Sequence, residues 1–413
     1  MPNTHTTLTS LFSDIADSIR AKTGSSADIV ADNFPTEIMN IPTGGTVAVP
    51  SSDVNFIDYD GTILYSYTKA DFANLTALPA NPTHAGLTAQ GWNWSLSDAK
   101  IYVNTYGFLD IGQMYTTDDG KTRIYISLTS EDALSPTIWY YQSVANGVSV
   151  DWGDGSTAQS TSGTGGKHLQ HTYSSIGDYV IKITVNSGEC RLGNGNTTSP
   201  VIGGNVDAIC YTNAVTKVEI GSGVTRLLAY TFYRCASLKS VTMPNTVRYI
   251  NASAFRQCSS ISGIVLPIST TAVTFNGIIF YGCQGLRFIA TTKEILINTY
   301  LFYNCYALNR VAITEATTSI GSNAFYLDYS LTRLKFPSGL SKIEANAFYR
   351  CYSMRVYDFT LCTAVPTLDD VNAFTDISST CKIVVPDSLY SSWTTASNWS
   401  TYASNIIKES DWT

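Results

Sequence analysis

The stretch Phe325-Tyr-Leu-Asp-Tyr-Ser-Leu331 is followed 23 residues later by Phe348-Tyr-Arg-Cys-Tyr-Ser-Met354, with the same apolar positions. Four earlier stretches share this pattern of a phenylalanine, a fourth residue that is cysteine, and an apolar residue three positions further on; they begin at Phe232, Phe255, Phe280 and Phe302. The six phenylalanines are 23, 25, 22, 23 and 23 residues apart. Fixed apolar positions at a period in the low twenties predict a solenoid in which each repeat forms one coil.

Each repeat continues with a short alternating stretch of apolar and polar residues, and three of these stretches end at a proline (Pro244, Pro267 and Pro337). Alternation over a few residues predicts one short strand per coil, which the proline ends because it has no N–H to donate. The predicted strands are Val241–Met243, Ile264–Leu266, Val311–Ile313, Leu334–Phe336 and Tyr357–Phe359. The phenylalanines, cysteines and leucines would then form three internal ladders.

The repeated cysteines are the obvious candidates for metal ligands or disulfides. They occur once per coil, no Cys-x-x-Cys pair is present, and the total of nine is odd, so we expect small buried hydrophobic side chains instead. Asp328 replaces cysteine in one coil, and its carboxylate must be hydrogen-bonded or exposed. No metal and no cofactor are expected. The cysteines concerned are Cys235, Cys258, Cys283, Cys305 and Cys351.

These repeats resemble the BspA-type leucine-rich repeats, through Ala254-Phe255, Ala324-Phe325, Ala347-Phe348 and the run at 320–325. The resemblance covers about residues 205–386 and implies a binding scaffold, since such repeats occur in surface adhesins of bacteria and protists and in phage proteins. After a last strand that ends at Pro386, the apolar residues Leu389, Trp393, Trp399, Tyr402 and Ile406 predict a helical cap over the open end.

The first 45 residues predict two short helices. The apolar residues of the first are at helical spacing, and the second begins at Asn33-Phe34-Pro35. The segment resembles the N-terminal segment of tail and baseplate proteins of phages of Firmicutes, which implies attachment to the virion. The alternative is a helical hairpin that packs on its own chain. The attachment residues predicted are Leu8, Phe12, Ile15, Ile19, Phe34 and Ile38.

The pattern of residues 46–120 predicts strands and turns. Val54–Tyr65 predicts a hairpin with Asp60-Gly61 at its turn. Further on, Leu78-Pro-Ala-Asn-Pro82 and Gly91-Trp92 resemble the internalin-type B repeat, which implies a small β-grasp module whose tryptophan closes the core.

Residues 121–188 contain Trp152-Gly-Asp-Gly155, then His171-Thr-Tyr173 and Gly177-Asp-Tyr179. These marks resemble the PKD domain, which implies an immunoglobulin-like β-sandwich. Asp151 and Asp154 could bind a cation, but we expect them to accept the hydrogen bonds of the turn.

The predicted fold is therefore mainly β and multi-domain. The domains are an N-terminal helical attachment segment (1–45), a β-grasp-like module (46–120), a PKD/Ig-like sandwich (121–188), a leucine-rich-repeat solenoid (189–386) and a C-terminal helical cap (387–413). The two small β modules would form a stalk.

Composition excludes several function classes. With 25 basic against 32 acidic residues and a net charge of −7, a nucleic-acid partner is disfavoured. No apolar run approaches the roughly 18 residues of a membrane span. The four histidines all lie outside the repeats, and no catalytic motif is present, so no enzyme is expected.

The most suggestive surface feature is aromatic. One set of tyrosines follows the phenylalanine in successive coils, and another follows the cysteine position. Tyrosines that face water would suit sugar rings or a protein partner, with nearby arginines for acidic glycans; alternatively, a column only packs the loop edge. The candidate ligand-binding residues are Tyr281, Tyr303, Tyr326 and Tyr349, then Tyr306, Tyr329 and Tyr352, and Arg310 and Arg333.

The sequence as a whole favours a non-enzymatic phage tail-fibre or baseplate adhesin. Its partners would be other virion proteins and a host-surface glycan or protein, and fibres are usually homo-oligomers, often trimers. We expect a virion location after synthesis in the host cytoplasm, because Met1–Thr7 lacks the basic start of a secretory signal. The alternatives are a head-decoration fibre, a bacterial surface adhesin and a glycan-degrading tail enzyme.

Overall fold

The computed structural model describes residues 53–193, 200–203, 208–268, 277–293 and 295–412. These described residues belong to one compact unit, and the predicted mainly β architecture is confirmed. Within the described ranges, no helix combines the length and the apolar character needed to cross a membrane. The predicted attachment segment, from Leu8 to Ile38, lies outside the described residues and stays a prediction.

The first layer, called the β-grasp layer below, is a mixed four-stranded sheet with two helices between Val54 and Thr117. Its elements are β1 (Val54–Ile57), β2 (Ile63–Tyr67), α1 (Lys69–Asn74), β3 (Leu87–Trp92), α2 (Leu96–Tyr106) and β4 (Leu109–Thr117). The strand order is β2-β1-β4-β3 with β1 and β4 parallel, as in a β-grasp sheet. The predicted hairpin of β1 and β2 is confirmed; at its turn Gly61 has φ +87°. Trp92 is buried against Phe56 in the core of this layer, with ring centroids 4.8 Å apart.

The next layer is a β-sandwich. Its strands are β5 (Thr122–Leu128), β6 (Thr137–Gln142), β7 (Val148–Asp151), β8 (Gln159–Ser160), β9 (Gly165–Gln170), β10 (Gly177–Val185) and β11 (Cys190–Leu192). One sheet joins β5, β10, β7 and β8, and the other joins β9, β6 and β11. Trp152 is fully buried between them, and the Tyr173 hydroxyl donates to its carbonyl oxygen at 2.8 Å.

Both sandwich sheets continue into the solenoid without a break. The connecting elements are β12 (Ile202–Gly203), α3 (Ala208–Ala214), β13 (Val215–Glu219), β14 (Val224–Leu227), β15 (Ser240–Thr242) and β16 (Tyr249–Ile250). In one sheet β13 pairs with β5 of the sandwich and with β15 of the solenoid. In the other sheet β14 pairs with β11 and with β16. The sandwich therefore covers the N-terminal edge of the solenoid, and one hydrophobic core runs through both.

The coils carry two columns of short parallel strands, whereas the sequence predicted only one strand per coil. The remaining strands are β17 (Gly263–Val265), β18 (Phe288–Ala290), β19 (Ser319–Ile320), β20 (Arg333–Lys335), β21 (Lys342–Ile343), β22 (Val356–Asp358), β23 (Thr367–Leu368), β24 (Lys382–Val385) and β25 (Ile406–Lys408). The column of β19, β21 and β23 was missed because two-residue strands are too short to show a period. The predicted strand at 311–313 is not formed, although Val311 and Ile313 are buried as expected.

The internal ladders form as predicted. Consecutive phenylalanine rings from Phe232 to Phe348 stack with centroids 5.3–5.9 Å apart, and Phe374 adds a seventh rung at 5.2 Å that the sequence pattern did not show. The cysteines whose side chains are described are free and buried. Four of the thiols donate to the phenylalanine carbonyl oxygen of the preceding coil at 3.0–3.1 Å; they belong to Cys258, Cys283, Cys305 and Cys351. Burial raises the pKa of the Cys283 thiol to about 12, so these cysteines pack as neutral side chains.

The predicted C-terminal capping helix is confirmed, but it is shorter than the apolar pattern indicated. Helix α4 covers only Tyr390–Thr395, and Asn398 with φ +64° interrupts the helical path. A short 3₁₀ turn at Trp399–Tyr402 follows, and Ile406 belongs to β25, which pairs with β24. Trp393 and Trp399 are fully buried against Phe359, so a strand and two tryptophans together close this end.

The β-grasp layer packs along the side of the solenoid. The prediction that the two small β modules form a stalk is therefore wrong for this layer. A Cβ atom at Gly112 of β4 would lie 2.5 Å from Val265 and 2.7 Å from Ala290, so only glycine permits this approach. The Asn93 amide donates to the carbonyl oxygens of Leu266, Ala290 and Thr291 at 3.0–3.2 Å. This close approach and these hydrogen bonds hold the β-grasp layer against the coils.

Candidate ligand-binding face

The tyrosines that follow the phenylalanines form one continuous ladder. The rings of Tyr281, Tyr303, Tyr326 and Tyr349 stack with centroids 4.5, 4.7 and 4.6 Å apart and planes within 9° of parallel. All four side chains are partly exposed. The predicted column therefore exists at the surface of the solenoid.

The ladder extends further than the sequence indicated. The guanidinium of Arg256 occupies the same position in the coil before Tyr281, 4.6 Å from its ring centroid and 5.6 Å from that of Tyr233. The rungs thus run Tyr233, Arg256, Tyr281, Tyr303, Tyr326 and Tyr349. Arg256 is absent from the sequence pattern because that pattern is one of aromatic residues, although Arg256 too stands directly after a ladder phenylalanine.

Backbone geometry sets the register of this ladder. In the six coils from Phe232 to Phe348, two residues four positions apart have positive φ, and they turn the chain sharply on either side of the phenylalanine. The second of them donates its N–H to the carbonyl oxygen of the next rung, as Leu327 does to Tyr349 at 2.9 Å and Gln257 to Tyr281 at 2.7 Å. Phenylalanine therefore points inward while the next residue points outward. The pairs are Tyr230/Arg234, Ser253/Gln257, Ile278/Gly282, Tyr300/Asn304, Asn323/Leu327 and Asn346/Arg350.

The tyrosines after the cysteine position form a shorter column. Tyr306 stacks on Tyr329 at 5.0 Å, and Tyr329 on Tyr352 at 5.5 Å. The middle ring is only 8% exposed. Burial raises the pKa of both Tyr329 and Tyr303 to about 12, so the phenols are neutral hydrogen-bonding groups.

Because the tyrosine rings stack on one another, only some of their atoms are free to contact a ligand. A ring whose two faces already contact its neighbours has no free face for a sugar ring. The inner rungs, such as Tyr303 and Tyr326, present ring edges and phenol hydroxyls instead, spaced by one coil. Recognition through the inner rungs of this ladder must therefore rest on hydrogen bonds rather than on stacking of a sugar against a ring face.

The two predicted arginines lie away from the tyrosines. Nε of Arg310 donates to both carboxylate oxygens of Asp110 at 2.9 and 3.0 Å. The guanidinium of Arg333 lies 5.3 Å from the ring centroid of Phe108. Both side chains contact the β-grasp layer, and their role in ligand binding stays a prediction.

Two clefts open beside the start of the ladder. One, of about 570 Å³, is lined by Ser127, Leu128, Thr129, Ser130, Ala133, Asn213, Ala214, Thr216, Ser237, Lys239 and Ser260. The other, of about 400 Å³, is lined by Asn213, Arg234, Ala236, Gln257, Ser259, Tyr281, Gly282, Gln284 and Asn304. They share Asn213 and adjoin along the coils. Sequence reasoning missed them because they depend on which side chains are small.

The described residues contain no cluster of three or more histidine, cysteine or acidic side chains that could hold a metal ion. Asp151 and Asp154 accept turn hydrogen bonds from Gly153 at 2.9 Å and Ser156 at 3.0 Å, as predicted. Asp154 also pairs with His171 at 2.7 Å, and that imidazole stacks on Trp152. These residues therefore stabilise the turn of the sandwich.

Comparison with known protein families agrees with the coil geometry. The model of the BspA type leucine rich repeat region matches in six copies, over residues 205–296 and 295–406. The solenoid carries BspA type leucine-rich repeats. The matched region extends past the predicted boundary at 386 and includes the cap as far as residue 406. Among curated proteins no match is found.

The similar crystal structures include three leucine-rich repeat proteins. A leucine-rich repeat protein from Bacteroides ovatus is 18% identical with a TM-score of 0.37, and the match covers 48% of this chain and 54% of that one. The T. pallidum leucine rich repeat protein is 20% identical, with a TM-score of 0.24 and 44% and 70% covered. A leucine rich cell surface protein from Faecalibacterium prausnitzii is 20% identical, with a TM-score of 0.23 and 40% and 58% covered. The chain spans about half the length of the first of these.

Proposed function

We propose that this protein is a non-enzymatic adhesive protein of a phage tail or baseplate, which binds the bacterial surface through its solenoid. The observation that carries the binding role is the tyrosine ladder, a partly exposed row of neutral phenols held in register by the backbone of a repeat array closed at both ends. Repeat arrays of this kind present an extended surface rather than a catalytic cleft. The virion location rests on the resemblance of residues 8–38 to phage attachment segments.

Adsorption of the fluorescently labelled full-length protein to a panel of Firmicutes cells tests the binding role. The variant Y303F/Y326F/Y349F removes three hydroxyls from the ladder but keeps its rings stacked, so its thermal stability should stay close to wild type. We expect it to lose about tenfold in apparent affinity, because hydrogen bonds to the ligand are lost. The control variant Y65F/Y67F/Y390F changes the same atoms at tyrosines outside both columns.

Equal adsorption of the two variants would reject the ladder as the binding face. Immunogold electron microscopy of intact particles tests the location: label at the tail tip supports the proposal, whereas label on the head or on uninfected bacteria rejects it in favour of a head fibre or a bacterial adhesin. Shortening of purified cell-surface polysaccharide during incubation with the protein would overturn the non-enzymatic assignment.

A further inference from the structure

The two clefts beside the ladder form one polar trough along the first coils. At the position after the cysteine, the first three coils carry Ala236, Ser259 and Gln284, where later coils carry the tyrosines of the shorter column. These side chains are smaller than tyrosine and leave the groove open, whereas the next coil carries Tyr306 at the same position. Volumes of about 570 and 400 Å³ lie within the range of ligand sites in proteins.

The lining is rich in groups that bind hydroxyls. It contains serine and threonine hydroxyls and the amides of Asn213, Gln257, Gln284 and Asn304. The Gln257 amide oxygen accepts a hydrogen bond from Arg234 Nε at 3.1 Å, which fixes its orientation. Successive coils of parallel strands lie about 4.8 Å apart, so the polar groups recur at short, regular intervals.

The charge of the trough is opposite to that of the protein. The whole chain has 32 acidic and 25 basic residues and a net charge of −7. Yet the described residues that line the two clefts include Arg234 and Lys239 and no carboxylate. Arg256, held between Tyr233 and Tyr281, adds a third cation at the same end of the ladder. A ligand that carries negative charge is therefore favoured here.

We propose that this trough binds an acidic polysaccharide, whose chain runs along the stack of coils. Its hydroxyls hydrogen-bond the amide and serine side chains, and its carboxylate or phosphate groups pair with Arg234, Lys239 and Arg256. The inference rests on the proposed binding role of the solenoid, and it names the class of ligand and the end of the ladder that it occupies.

Surface plasmon resonance on the full-length protein tests it with three glycans: polygalacturonate, which carries carboxylates, lipid-free wall teichoic acid, which carries phosphodiesters, and neutral dextran. We expect binding to at least one of the two anionic chains, weakening as salt is raised, and no binding to dextran. In R234Q/K239Q the affinity should fall by about tenfold or more. Glutamine already occupies the equivalent of residue 234 in the next coil, as Gln257, so the fold should tolerate it.

The control R248Q/R355Q removes two exposed cations that line neither cleft. Equal losses in both variants, or binding of dextran as tight as that of the anionic chains, would overturn the inference. Which anionic chain binds distinguishes carboxylate from phosphate recognition. If wild type adsorbs to cells and R234Q/K239Q adsorbs equally well, the inference fails and the proposed function stands; if wild type binds the polyanion but adsorbs to no cell, the proposed function fails.

Discussion

The buried carboxylate of Asp328 accepts a hydrogen bond from the backbone N–H of Cys305, with Oδ1 2.9 Å from the nitrogen. Its Oδ2 has no hydrogen-bond partner among the described residues. Asp328 occupies the cysteine position of its coil, between the cysteine rungs of its neighbours. Burial raises the pKa of Asp328 well above its usual range, so the folded chain favours the neutral acid.

Replacing Asp328 by cysteine should stabilise the protein, because the thiol completes the ladder without an unsatisfied oxygen. We expect the free energy of unfolding to rise by about 1–3 kcal/mol. Denaturant titration at neutral pH measures it. A less stable D328C variant would show that the carboxylate is a net stabilising group.

The same residue predicts a dependence on pH. Because the folded pKa lies above that of the unfolded chain, the stability linked to Asp328 is fully present below about pH 4 and is lost as the pH rises toward the folded value. In D328N this loss is absent. The stability difference between D328N and wild type should therefore grow with pH above about 4, and a constant difference would contradict the raised pKa.

The ion pair of Arg310 and Asp110 should stabilise the packing of the β-grasp layer on the solenoid. Asp110 is only 5% exposed, so R310A leaves a buried charge without its cation and should cost about 3–5 kcal/mol. The control K293A breaks the exposed pair of Lys293 with Asp98, which joins the same two layers, and should cost less than about 1 kcal/mol. Denaturant titrations that show similar losses for both variants would rule out this ranking.

Asp154 should make the sandwich turn sensitive to acid. Hydrogen bonds from Ser156, and then the pairing with His171, lower the pKa of Asp154 to about 2. Its contribution to stability is present above the ordinary value near 4 and is lost as the pH falls toward 2. Thermal melts between these pH values should therefore show a smaller decline for D154N than for wild type, and parallel declines would contradict the lowered pKa.

Arg256 should tolerate replacement by tyrosine, since its neighbours in the ladder are tyrosines. In R256Y the ring would stack between Tyr233 and Tyr281 and remove an arginine Nε that is buried without a hydrogen-bond partner in the described structure. We expect unchanged or higher thermal stability together with weaker binding of an acidic polysaccharide. A fall in the free energy of unfolding by more than about 1 kcal/mol would show that the arginine stabilises the ladder more than a tyrosine ring at that position.

The sequence was informative wherever a feature repeats. Phenylalanine, cysteine and tyrosine recur at the same interval along the chain, so their ladders could be predicted from the repeat length. The side-on packing of the β-grasp layer did not, because Asn93, Gly112 and Asp110 meet coils that are more than 150 positions away and share no pattern with them. The ion pair of Arg310 with Asp110 was likewise not predicted, because Asp110 cannot be recognised as its partner from the chain order.

Closure of the array at both ends affects how its length can change. The sandwich strands continue into the first coils, and β25 with two tryptophans covers the last, so a terminal coil cannot be removed without exposing strand edges. The β-grasp layer, in turn, fixes the coils near Val265, Ala290 and Arg310. Because Arg333 and Leu361 also contact that layer, gain or loss of a whole repeat has to be matched by a change in the layer or in one of the two caps, so the rest of the fold sets the number of coils and the length of the tyrosine ladder.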